Sequence, residues 1–174
     1  MLPERVIRHG RVEHDTWHFL GLAEGEDLTT LPEGAIVVPL ATWKTRRDEL
    51  IARPQAVGVW LGPLDDPAEL AGDLAALSII GVHFPKFTDG RGYSTAVLLR
   101  TRYGFRGELR AFGDVGRDQL FYLRRSGFDA FSLAPHRDPV AALASLEPFT
   151  VRYQGSVDDP VPLFRKRPDA EAAR

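Results

Sequence analysis

Residues 81–134 read GVHFPKFTDGRGYSTAVLLRTRYGFRGELRAFGDVGRDQLFYLRRSGFDAFSLA and contain two strand–loop–helix transitions in succession. The first leaves His83 and runs through Pro85-Lys86-Phe87-Thr88-Asp89-Gly90-Arg91-Gly92 into a helix. The second leaves Phe112 and runs through Gly113-Asp114-Val115-Gly116-Arg117-Asp118 into another. Each loop brings Gly, Asp and Arg together at the carboxyl end of a strand, where α/β proteins keep their chemistry.

Outward from this stretch, six short apolar runs recur at near-regular spacing: 36–39, 57–61, 77–84, 108–112, 129–133 and 149–153. Continuous apolar runs mark strands buried on both faces, hence a mostly parallel sheet with helices outside. Helix-forming segments follow the first five runs, so βαβ crossovers are the natural connection. The fold class is therefore α/β, with repeated short βα units. Six units fall short of eight, which predicts a partial TIM-like barrel or an open sheet.

Local signals agree. Thr42 is placed to cap a helix over 43–51, and Asp65-Asp66-Pro67 to open one over 68–76. Gly104 and Gly127 suit the left-handed residue after helices over 94–103 and 119–126. His9-Gly10 reads as the turn of an antiparallel hairpin preceding the parallel core. One α/β domain over 1–163 is expected, with residues 1–30 as the hairpin extension and 164–174 as a mobile tail.

The chain has 174 residues, a formal charge of −2, 44% hydrophobic and 26% charged residues. Those values fit a globular protein, and the acidic balance gives no electrostatic reason to expect nucleic acid. No apolar run approaches the roughly 20 residues of a membrane span, and residues 1–5 lack a signal-peptide layout, so a cytoplasmic protein is expected. Cysteine is absent. That excludes disulfides, a thiolate nucleophile and Cys-ligated zinc or iron–sulfur clusters.

The loops 85–92 and 113–118 follow consecutive strands and should share one rim. There Lys86, Gly90, Arg91, Gly92, Arg117 and Asp118 form a candidate ligand site. Glycine amides and helix starts favour an anion, and the arginine fork matches the oxygens of phosphate, sulfate or carboxylate. Asp89 and Asp114 are candidates to orient those guanidinium groups or to move a proton, and His83 is a candidate acid or base with a near-neutral pKa. The bland alternative is that the same acids and arginines cap helices and pair with each other. Gly90-Arg91-Gly92 half-matches a dinucleotide fingerprint but lacks the third glycine, and no P-loop is present, so the cofactor stays unassigned. His14 and His18 are spaced i,i+4 outside any helical pattern, and no metal site is assigned. Arg100, Arg124 and Arg125 read as a solvated or ion-paired helix face, and Phe121, Tyr122 and Phe128 as core.

The segments FPKFTDGRGYS and LLRTRYGFRGELRAFGDVGRDQLFYLRRSGFDAF, and more loosely IVVPLATW and VGVWL, resemble a bacterial family catalogued as domain of unknown function 934. The central match covers residues 84–131. Members are commonly encoded beside assimilatory sulfite reductase genes, and from that neighbourhood they are described as an oxidoreductase of sulfite reduction. The resemblance thus implies a place in sulfur assimilation, with sulfite reductase or its electron donor as a partner. Sulfur oxyanions suit the rim of Arg, Lys and Gly. Six-electron sulfite reduction, by contrast, needs an iron–sulfur cluster that a cysteine-free chain cannot anchor with thiolates. Three roles stay open: an accessory protein that handles an oxyanion at this rim, a non-catalytic subunit docking on the reductase, and a (βα)-type enzyme acting on a phosphorylated metabolite.

Overall fold

The computed structural model describes residues 2–23 and 25–166. Strands β1 (Arg5–Arg8) and β2 (Arg11–His14) form the expected hairpin, turned by His9 and Gly10 at φ 48° and 74°. A two-residue strand, β3 (His18–Phe19), follows. Then come β4 (Ile36–Pro39), α1 (Leu40–Ile51), β5 (Val57–Leu61), β6 (Ile79–Phe84), α2 (Arg91–Thr101), β7 (Glu108–Gly113), α3 (Leu120–Arg125), β8 (Ala130–Phe131) and α4 (Pro139–Ala142). The sheet order is β2-β1-β8-β7-β6-β5-β4-β3, with β3 through β8 parallel and β1 antiparallel to both β2 and β8.

The connectivity forces this sheet to curl. β2 and β3 are its two edges, yet only Asp15, Thr16 and Trp17 separate them. Four residue steps span at most about 14 Å, whereas a flat eight-stranded sheet would hold its edges about 34 Å apart. The result is a curled half-barrel.

Alternate residues face opposite sides of each strand. On the convex side Ile36, Val38, Val59, Ile80, Val82, Phe84, Leu109, Ala111 and Phe131 pack against Trp43, Leu50, Leu99, Leu120 and Leu123 of the helices in one buried cluster. On the concave side one layer runs in register through Pro39, Trp60, Gly81, Arg110, Ala130 and Arg8. Phe19 reaches into it from the edge strand. Its ring lies 4.9 Å from that of Phe112 and 5.3 Å from the Arg110 guanidinium. A Cβ on Gly81 would sit 2.9 Å from Phe19, so glycine there makes room for that ring.

Several expectations need correction. Residues 149–153 form no strand: the edge of β8 that a sixth parallel strand would need is taken by β1, and Phe149, Val151 and Tyr153 are exposed. The helix expected from Thr42 starts at Leu40, directly off β4, with Pro39 at the cap. The segment 68–76 forms two 3-10 turns, Pro67–Leu70 and Leu74–Ala76, although Asp66 caps the first as expected by accepting from the Ala68 amide. Tyr122 is exposed and not core. Arg100, by contrast, takes the ion-paired one of its two expected roles. Its guanidinium donates to the Phe105, Gly107 and Gly127 carbonyls and to Asp129. Of the C-terminal segment expected to be mobile, Phe164 to Lys166 are described and Lys166 pairs with Asp159 at 2.5 Å; 167–174 lie outside the described residues. Among the described residues no helix is long and apolar enough to cross a membrane.

Candidate functional site

β6 and β7 are neighbours in parallel register, His83 opposite Phe112 and Phe84 opposite Gly113, so their following loops share the carboxyl rim. Gly113 ends β7 at φ 103°, a left-handed conformation that glycine adopts without strain. The turn lets the Asp114 amide donate to the Phe84 carbonyl at 2.7 Å. The Asp114 carboxylate then accepts from the Phe87 amide at 2.9 Å. Buried Gln119 adds a second tie: its Oε1 accepts from the Gly116 amide at 2.9 Å and its Nε2 donates to the Phe87 carbonyl at 3.4 Å. The two loops read from the sequence are thus physically joined.

Within the first loop Asp89 accepts from the Arg91 amide and takes the Arg91 guanidinium in a fork, at 3.0 and 2.6 Å. These bonds hold the Asp89 carboxyl below the usual carboxylate range. Gly90 stands exposed at the cap of α2. Gly92 is buried instead, because a Cβ there would lie 2.5 Å from the Phe84 ring. Lys86 is exposed in the same loop. In the second loop Arg117 and Asp118 are exposed, and Asp118 Oδ1 folds back to within 2.6 Å of where a Gly116 Cβ would be.

His83 is half-buried on the concave side of the rim. Its ring stacks on Phe112 at 5.0 Å and meets Trp60 edge-on at 6.0 Å. Burial pushes its pKa below the ordinary histidine value, which favours the neutral imidazole.

A third loop completes the rim. After β8 the chain reads Pro135-His136-Arg137-Asp138, and the Arg137 guanidinium lies 3.6 Å from the position a Gly116 Cβ would take. Asp138 caps α4 by accepting from the Val140 and Ala141 amides. Between this loop and residues 3–5 opens a cleft of about 490 Å³, lined by Arg5, His136 and Arg137 among others. Among the described residues Lys86, Arg117 and Arg137 have no carboxylate within 4.0 Å, while Arg91 has Asp89. Sequence reasoning missed Arg137 and Gln119. Both carried signals: His136-Arg137-Asp138 repeats the Arg/Asp character of the other loops, and Gln119 stands three residues past Gly116, where a capping residue belongs.

A family description, Bacterial protein of unknown function (DUF934), matches residues 58–164, well over half of the chain and including all three loops. No curated protein matches the chain.

Proposed function

The chain belongs to the DUF934 family of bacterial proteins, and on that premise we propose that it binds a small oxyanion at the carboxyl rim and serves as an accessory protein of sulfite reduction. The observation that carries the binding is the set Lys86, Arg117 and Arg137, cations on three adjoining loops with no carboxylate partner among the described residues. A tetrahedral or pyramidal oxyanion matches such a set in charge and in acceptor number. Asp114 and Gln119 hold the loops together, and Asp89 keeps Arg91 in place at the start of α2. Gly90, exposed at that start, leaves backbone room beside the anion. His83, half-buried on the concave side and kept neutral by burial, is the candidate acid or base for a bound oxyanion. The pathway rests on the family resemblance, and the chemical fit rests on the rim.

Calorimetric titration with sulfite, sulfate and phosphate tests this. Saturable sulfite binding is expected, weakened about tenfold or more in Arg117→Ala and in Arg137→Ala, as for the loss of one charged hydrogen-bonding partner. Arg91→Ala, losing a partner of Asp89, should weaken it less. Binding that ignores both Arg117 and Arg137 would sink the rim assignment. Preference for phosphate over sulfite would favour an enzyme of phosphorylated metabolites.

A second role, docking on sulfite reductase or its electron donor, is favoured by one feature: Tyr122, Phe149, Val151 and Tyr153 form an exposed apolar patch with Arg125 and Arg152 beside it. Aromatics with arginine are the composition of interface centres. Co-purification with the reductase, lost in Tyr122→Ser/Phe149→Ser while sulfite binding is absent, would establish that role instead.

A further inference from the structure

At the opposite, amino end of the strands lies a cleft of about 970 Å³, within the range that encloses a small organic molecule. It is bounded by the His9-Gly10 turn, by Arg106 and Asp129 ahead of β7 and β8, and by residues 143–147 after α4. Its floor is apolar, with Phe128, Phe131 and Leu146 from the buried core.

Charge decides what the cleft would take. The three acids on its walls are already matched: Asp129 holds Arg100 at 2.7 Å, Glu147 pairs with Arg124, and Asp158 pairs with Arg152 at 2.7 Å. Arg106 is exposed on the wall and, among the described residues, has no carboxylate within 4.0 Å. It lies near enough to Arg100 for the two positive charges to oppose each other. Three arginines and three acids line the cleft, but Asp158 is engaged by Arg152 from outside it, which leaves Arg106 as the unanswered guanidinium among the described residues. His9 stands on the same wall in the left-handed region at φ 48°, a conformation uncommon for any residue but glycine, and its amide donates to the Asp129 carbonyl at 3.2 Å. That conformation belongs to the two-residue hairpin turn, which takes positive φ at both His9 and Gly10 and so fixes this wall of the cleft.

We infer that this cleft is a second binding site, for a small organic anion whose apolar body rests on Phe128, Phe131 and Leu146 while its carboxylate or sulfonate meets Arg106. It is separate from the rim and independent of what the rim binds.

The probe is 2-naphthoate, with 2-naphthalenemethanol as the neutral counterpart, titrated into the full chain and followed by amide shifts in two-dimensional NMR. Saturable shifts at Gly10, Arg106 and Gly127 are expected with the acid, and at least tenfold weaker binding with the alcohol. Arg106→Ala should weaken naphthoate about tenfold, the loss of one charged contact. Ala144→Trp, filling the cleft from an exposed position, should abolish the shifts. Neither variant should change sulfite binding at the rim, so failure of one site is told from failure of the other. Equal binding of acid and alcohol, naphthoate affinity unchanged in Arg106→Ala, shifts confined to the patch around Tyr122 and Phe149, or no saturable binding would each overturn the site.

Discussion

His83 shows how one residue can be both part of the fold and part of a site. Its ring continues the aromatic contact of Trp60 and Phe112 on the concave side, and burial lowers its pKa. The unfolded chain, with the ordinary value of 6.5, takes up a proton before the folded chain does. Stability from this group is therefore fully present above pH 6.5 and is lost as the pH falls below it toward the depressed folded value. Asp129 acts in the opposite direction: burial raises its pKa against the pull of Arg100, so its ionisation removes stability as pH rises from 3.8 through the raised value. Comparing the protein with His83→Phe isolates the histidine. The variant keeps an aromatic ring against Phe112 and should lose the fall in chemical-denaturation stability between pH 7.5 and 5.5. An identical slope in both proteins would place the titration elsewhere. If His83 also takes a proton from a bound oxyanion, the pH dependence of sulfite binding flattens in the same variant.

Among the elements, α2 and β6 show how a glycine in a site-like loop can be there for packing. Gly92 opens the helix against Phe84, whose ring is itself held by Tyr93 at 5.6 Å and Phe128 at 5.9 Å. Gly92→Ala gains up to about 1 kcal/mol of helix propensity but overpacks Phe84 by about 1–3 kcal/mol. The expected net loss is about 1–2 kcal/mol, a fall in Tm of about 2–8 °C in a chain of this size. Anion affinity should stay as it is; affinity lost at unchanged Tm would show instead that the Gly92 backbone approaches the ligand. The sequence located β4 and β5 to the residue and β6 and β7 within two: IVVP and VGVWL are unbroken apolar runs, as strands buried on both faces tend to be, while His83 interrupts β6 and Glu108 and Arg110 interrupt β7. Residues 149–153, FTVRY, alternate apolar and polar without a sheet edge to join, and that pattern alone cannot tell a strand from an exposed patch. The joined loops were legible from Gly, Asp and Arg after consecutive strands. The pairing of Arg91 with Asp89 was open to either outcome until geometry decided it, since the same two residue types serve a ligand or each other.

For the whole molecule, the feature least legible in sequence is the closing of the curled sheet. Residues 14–20, HDTWHFL, hold no run long enough to announce a strand, yet they carry the chain from one sheet edge to the other. What fixes the edge there is far away in sequence. Asp15 meets Arg110 at 2.6 Å with the two side chains 5% and 0% exposed, the Asp15 amide donates to the Glu4 carbonyl, and Trp60 Nε1 donates to the Leu20 carbonyl. Arg110 is also bonded by Glu108, which Arg8 holds in turn at 2.8 Å. Charges so deeply buried are costly to separate: removing one partner of such a pair typically destabilises by about 3–5 kcal/mol, whereas replacing both by apolar groups can be nearly neutral. Asp15→Ala should therefore lose about 3 kcal/mol or more in urea denaturation. Asp15→Ala/Arg110→Met should lose markedly less than the sum of the single changes, because the methionine still packs on Phe19 and leaves Glu108 its bond to Arg8. Losses that add within about 0.5 kcal/mol would mean that the two residues are uncoupled, and that Phe19 and the backbone alone hold the edge strand across the concave face.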